Sequence, residues 1–217
     1  MGHSTILPYR SALIPDELDG NTFALQKIGC VILAAGLGTR FGRQKVSAEI
    51  APGVRFLDAV VRTARAAGIA QIVAVVPPGI TVPDGIRTVI NASGGGEQIT
   101  SVRLGLAQLT NVSVSGALLW PVDHPRVATS SVVALLRVVQ AGTSPIVVPA
   151  YEGRRGHPAY FARDTWRELV TVADGGARAV VRRYGAQVRE VAVKDRGVIV
   201  DIDTQEDMVI DGADGLG

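Results

Sequence analysis

Residues 33–45 read LAAGLGTRFGRQK, with glycines at Gly36, Gly38 and Gly42 and cations at Arg40 and Lys45. Glycine lets a backbone turn sharply and approach a ligand closely. Successive main-chain N–H groups in such a turn make a concave site for anions. The two cations add the charge that a polyphosphate attracts. Directly before this stretch lies an apolar run, Ile28-Gly29-Cys30-Val31-Ile32, with the character of a buried strand. These features predict a nucleoside-triphosphate site at the C-terminal end of a first strand. Amides of Ala35, Gly36, Leu37, Gly38 and Thr39 would face the phosphates, with Leu33 and Ala34 part of the same nucleotide-binding stretch. For this loop alone, the simpler alternative is an ordinary strand-to-helix turn with incidental basic residues.

Two other glycine loops are excluded. A GxGxxG dinucleotide loop needs glycine three positions after Gly38, where Phe41 stands. A GxxxxGK[ST] loop needs lysine directly after its last glycine, but Arg43-Gln44 follows Gly42. Phe41 thus counts against a nicotinamide oxidoreductase. Two carboxylate groups stand out further along the chain. Asp123 ends an apolar strand-like run, directly before His124-Pro125. Asp201 and Asp203 flank Ile202, and in a strand they would point to the same side.

The elements that must position these groups follow from hydrophobic patterning. Short apolar runs alternate with helical stretches, which implies an α/β fold with a mainly parallel sheet. Strands are expected at 28–34, 72–76, 88–90, 117–122, 146–148, 188–193 and 198–203. Helices are expected at 56–67, 97–109, 130–139, 165–172 and 178–184. Most of the candidate residues then lie after strands, where open α/β sheets place their ligands.

The chain has 217 residues, 47% apolar and 19% charged, with a formal charge of +2. That length buries a full core. Neither the charge nor a basic stripe points to nucleic acid. The single Cys30 excludes an internal disulfide and reads as a small buried hydrophobe. No apolar run reaches the ~18 residues of a membrane span. Residues 1–27 lack a secretion-signal pattern, and the expected location is the cytoplasm. We divide the chain into an extension at 1–27, one domain at 28–211 and a tail at 212–217.

The loop resembles the LAAGxGxRxGxxK signature of the MobA-like nucleotidyltransferases, most of all their molybdenum cofactor cytidylyltransferase branch. The resemblance runs from about 28 to about 208. Four later segments support it in order: NASGGGEQITSVRLGL at 91–106, VDHP at 122–125, GHPAYF at 156–161 and DIDTQED at 201–207. The resemblance implies a three-layer α/β/α Rossmann-like nucleotidyltransferase fold. It implies transfer of a nucleoside monophosphate from a triphosphate to a phosphorylated acceptor, with release of pyrophosphate. Arg40 and Lys45 would steady the triphosphate, and Asp123 would bind magnesium. Asp201 and Asp203 would form a second metal or substrate carboxylate site, and one of them could be purely structural.

By the same resemblance Asn91, Gly96 and Ser101 border the base and ribose, and Gly156 and His157 border the acceptor. Ser101 could instead cap a helix, and Glu97 suits a helix N-terminus. Arg154 and Arg155 could attract an anionic acceptor or form a solvated pair. Thr204 and Asp207 read as a capping box. Ala34-Ala35 leans towards CTP, because branch members that use GTP typically show LAGG. Molybdopterin is the implied acceptor. Departures from the pattern are Phe41, Gln44 before Lys45, VSAEIAPG at 46–53 and Gln205 in place of proline. The stretch around 94–106 is also similar to isoprenoid cytidylyltransferases, whose later motifs are missing. A different acceptor phosphate and a non-catalytic nucleotide-binding homologue both stay open, as do a monomer and a homodimer.

Overall fold

The computed structural model describes residues 28–36, 45–93, 98–203 and 207. The strands are β1 Ile28–Leu33, β2 Glu49–Ala51, β3 Val54–Arg55, β4 Gln71–Val76, β5 Arg87–Ile90, β6 Gly116–Pro121, β7 Ile146–Tyr151, β8 Arg154–Arg155, β9 Ala159–Ala162 and β10 Val188–Ala192. The helices are α1 Phe56–Ala66, α2 Gln98–Ala107, α3 Thr129–Ala141, α4 Trp166–Thr171 and α5 Gly176–Tyr184.

The main sheet runs β10-β7-β9-β6-β1-β4-β5, with β8 paired to the end of β7. β10, β7, β6, β1, β4 and β5 all point the same way, while β9 runs against both its neighbours. The expected mainly parallel sheet is therefore present, with one antiparallel insertion. β1 and β6 are buried along their whole length. That explains their continuous apolar sequences, since a central parallel strand is covered on both faces.

Alternation along β1 divides the interior in two. Ile28, Cys30 and Ile32 face one core with Phe56 and Val60 of α1 and Leu135 of α3. Val31 and Leu33 face the other with Ile99, Val102 and Leu106 of α2, Leu169 of α4 and Val180 of α5. This is a three-layer arrangement. At Gly105 a Cβ would lie 2.2 Å from Val31 Cγ1, so α2 seats directly on β1. Cys30 is buried, and desolvation pushes its thiol far above the ordinary range. It is packing, not chemistry.

Two differences from the sequence reading matter for the site. The stretch 198–203 is not a strand. Arg196–Val198 forms a 3-10 turn, and the next residues run without a ladder partner. A main-chain bond ties that run to the Asp123 loop, from Ile202 N to Asp123 O at 2.9 Å. The second difference is β9, a strand inside the GHPAYF segment. Being antiparallel, it starts at the edge where its parallel neighbours end. No helix among the described residues is long and apolar enough to cross a membrane.

Candidate active site

The C-terminal ends of β1 and β6 lie side by side. Val122 N donates to Leu33 O at 3.1 Å, and Ala34 N donates to Val75 O at 2.8 Å. Beyond β6 the chain turns at once, with His124 N donating to Pro121 O at 3.2 Å. The buried Trp120 indole N–H donates to His124 O at 3.2 Å. These bonds hold Asp123 at the mouth of a cavity of about 740 Å³. Leu33, Asp123, His124, Gly156, His157 and Asp201 share its lining. The structure thus brings together residues from four separated motifs.

Among the described residues, Ala34, Ala35, Gly36, Asn91, Ser101 and Asp203 fall outside that lining. Asp203 gives its N–H to Asp207 Oδ2 at 2.9 Å, while Asp201 faces the cavity. The Asp207 carboxylate serves the backbone as expected, but at Asp203, one residue before the proposed cap Thr204. Asn91 and Ser101 are both buried, and Asn91 Nδ2 donates to Ser101 Oγ at 3.0 Å. Asn91 Oδ1 accepts the Ser93 N–H at 3.1 Å, an Asx turn. This pair ties the end of β5 to the first turn of α2. Lys45 begins a short 3-10 turn, Lys45–Ser47. Leu37, Gly38, Thr39, Arg40, Gly96, Glu97 and Thr204 lie outside the described residues.

The GHP segment is fixed by backbone. Gly156 N donates to Pro149 O at 2.8 Å and His157 N to Val198 O at 2.7 Å. The rings of His157 and His124 lie 4.7 Å apart, tilted by 52°. Burial lowers the His157 pKa to about 3, reinforced by His124 and then Arg178. Its Nδ1 is sealed from solvent without a hydrogen-bond partner among the described residues. The ring is therefore neutral near pH 7.

That shift predicts a pH effect on folding. The folded pKa lies below the ordinary 6.5, so between these values only the unfolded chain takes up the proton. The stabilisation is complete above pH 6.5 and is lost as pH falls towards 3. By pH 5 the loss attributable to His157 should reach roughly 2 kcal/mol. Denaturant unfolding at pH 7 and pH 5 measures it, with His157→Gln losing that much less than wild type. Equal losses in both proteins would remove the assignment.

Arg178 and Arg182, spaced one turn apart on α5, line the same cavity. Neither makes an ion pair or side-chain hydrogen bond among the described residues. Sequence reasoning passed over them; the available signal was an i, i+4 arginine pair following Gly175-Gly176. Arg155 also lines the cavity, but its Nε is held by Glu190 Oε1 at 2.7 Å. Arg154 is exposed and lies outside the lining. One wall is apolar, with Val102, Leu119, Val148 and Phe161.

A cavity at the β1 and β6 ends, lined by two carboxylates and by arginines, suits an anionic substrate pair. The model of the MobA-like NTP transferase domain matches residues 30–188. The chain belongs to this family. The MobA-like NTP transferase domain is a nucleotidyltransferase domain. A search of curated proteins finds no match. Among solved structures, Rv0371c of Mycobacterium tuberculosis H37Rv is 28% identical, with a TM-score of 0.73 over 86% of this chain and 97% of that one. A manganese complex of Rv0371c matches with 27% identity and a TM-score of 0.68, over 85% of this chain and 97% of that chain. The 2-C-methyl-D-erythritol 4-phosphate cytidylyltransferase of Thermus thermophilus is 21% identical, with a TM-score of 0.60 over 85% of this chain and 96% of that one. At that identity the last likeness speaks for the fold alone.

Proposed function

We propose that this MobA-like domain transfers CMP from CTP to the phosphate of molybdopterin. The observation that carries the reading is one cavity that combines Asp123 and Asp201 with the Gly156-His157 segment at the end of β1. The loop amides from Ala35 to Thr39, with Arg40 and Lys45, hold the triphosphate. Asn91 and Ser101 support the neighbouring glycine loop that contains Gly96, beside the base and ribose. Ala34-Ala35 favours cytosine over guanine. The apolar wall suits a flat ring system better than a polyol, and Arg178 and Arg182 face the acceptor phosphate.

The donor set fits magnesium. Among the described residues there is no cluster of three or more His, Cys, Asp or Glu that could hold a metal. Mg²⁺ commonly takes only one or two carboxylates and completes its shell with phosphate oxygens and water. Asp123 and Asp201 supply that pair, with Asp203 next to it in the chain. Bound there, the cation neutralises triphosphate charge. The side chains provide position and field, the main sources of catalysis in phosphoryl chemistry. An acceptor phosphate oxygen forms the new bond to the α-phosphorus, and the bond from that phosphorus to the bridging oxygen breaks. The electron pair leaves with pyrophosphate. A phosphate acceptor is already ionised near neutral pH, so the reaction asks no proton of His157. The neutral ring is suited to hydrogen-bonding the acceptor.

The test is pyrophosphate release from CTP, GTP, ATP and UTP with Mg²⁺, with and without molybdopterin. CTP-selective release that depends on molybdopterin is expected. Binding of CTP without turnover would redirect the search to another acceptor phosphate. Failure to bind any triphosphate would overturn the enzymatic reading.

A further inference from the structure

Asp195 lies outside every motif that marks the site, yet its single carboxylate ties the start of α3 to the turn at 196–198. Its Oδ2 accepts the Ala128 N–H at 2.8 Å and the Ser131 hydroxyl at 2.9 Å. Its Oδ1 accepts the Gly197 N–H at 2.9 Å. The first pair caps α3, whose own N-cap Ala128 has no side chain able to do so. The helix dipole also favours a carboxylate at that end. The third bond closes the 3-10 turn Arg196–Val198.

That turn is wedged between two pieces of backbone. A Cβ on Gly197 would lie 2.5 Å from Arg126 O, and one on Gly156 would lie 2.1 Å from Val198 O. No side chain separates the Asp123–Arg126 loop, the 195–198 turn and the GHP segment. A shift in the turn therefore passes directly to both neighbours. Two bonds carry it further: His157 N to Val198 O, and Ile202 N to Asp123 O beside Asp201.

We propose that Asp195 is a positioning residue, which sets the spacing between the Asp123 loop and the wall formed by His157 and Asp201. This rests on the reading that Asp123 and Asp201 face a divalent cation beside the nucleotide. Asp195 itself touches neither, so its removal should act through geometry. Groups that orient metal-binding residues commonly affect metal affinity by about 10–100-fold.

The experiment compares full-length wild type with Asp195→Ala, Asp195→Asn and Arg163→Ala. Mn²⁺ is titrated by electron paramagnetic resonance with CTP present. The amide signals of His157 and Ile202 are followed by NMR. Arg163 is the stability control. Its guanidinium clamps the carbonyls of Leu109, Thr110, Val112 and Val114, away from the cavity. Asp195→Ala should weaken Mn²⁺ at least about tenfold, shift both amides and lower kcat, with KM for CTP within about threefold. Asp195→Asn keeps one accepting oxygen and should recover part of each effect. Arg163→Ala should lose stability without moving Mn²⁺ affinity or either amide.

Unshifted amides and wild-type Mn²⁺ affinity in a folded Asp195→Ala would overturn the proposal. So would the same changes in Arg163→Ala. If Asp195→Ala does not fold, Asp195→Asn and Ser131→Ala decide it by the same readouts. A wild type without turnover would defeat the enzymatic reading alone, because the Mn²⁺ and amide responses still decide the positioning role.

Discussion

Asp123→Asn should lower the rate of pyrophosphate release by about a thousandfold or more at saturating CTP, with the thermal midpoint within a few degrees of wild type. The substitution preserves shape and removes one negative charge at the mouth of the cavity. A neutral amide oxygen holds a hard cation poorly, and Asp201 alone would leave the triphosphate charge poorly balanced. The fold should survive because the loop is held by main chain. Asp123 O still accepts from Ile202 N, and Trp120 still donates to His124 O. The Asp123 side chain itself is 27% exposed, and its contact with His124 Nε2 is long, at 3.8 Å. Normal turnover in this variant would remove Asp123 from the metal site.

Gly156→Ala should act on the other substrate. The new methyl would lie 2.1 Å from Val198 O and 2.6 Å from Val198 C, both backbone atoms that cannot rotate away. Overpacking of this kind costs about 1–3 kcal/mol, which corresponds to roughly 2–12 °C in Tm for a chain of this size. Relief requires the GHP segment to withdraw from the 195–198 turn, breaking the 2.7 Å bond from His157 N. KM for the acceptor should therefore rise at least about tenfold, while KM for CTP stays within about twofold. Initial rates with each substrate varied in turn measure the split. Gly153→Ala is the informative contrast. Gly153 has φ +76° with nothing within 4 Å of a Cβ. It should cost about 1 kcal/mol in backbone strain and leave both KM values unchanged. Equal acceptor KM values in the two variants would show that Gly156 does not shape the pocket.

The parts of this fold legible in the sequence were those with strong periodicity. β1, β4 and β6 are long apolar runs because both faces are covered, and α1 shows its buried stripe through Phe56, Val60 and Ala64. β9 escaped notice because Ala159-Tyr160-Phe161 is short and follows a proline, so it read as part of a pocket motif. The stretch 198–203 misled in the opposite direction. Val198-Ile199-Val200 is β-branched, but Asp195 and Gly197 close a 3-10 turn that no strand can continue. At the site, Asp123, Asp201, Gly156 and His157 were readable as motif residues. Arg178, Arg182 and Asp195 were not, because their significance comes from what lies beside them in space. Asn91 and Ser101 carry a bond that no motif announces, one that ties the end of β5 to α2.

The antiparallel course of β9 constrains where this domain can change length. Tyr160 belongs to one core and Phe161 to the other. β9 is locked in register on both sides, with Leu118 opposite Tyr160 in β6 and Ile146 opposite Phe161 in β7. A one-residue slip of β9 in this register would exchange those two aromatic rings between layers. The hairpin tip at Glu152-Gly153 has no such restriction, since it projects past the β7–β8 pairs into solvent. Additions there would lengthen an exposed hairpin without disturbing the strands beneath. The chain could thus grow at a two-residue tip, while the strand ends that line the cavity stay fixed by register.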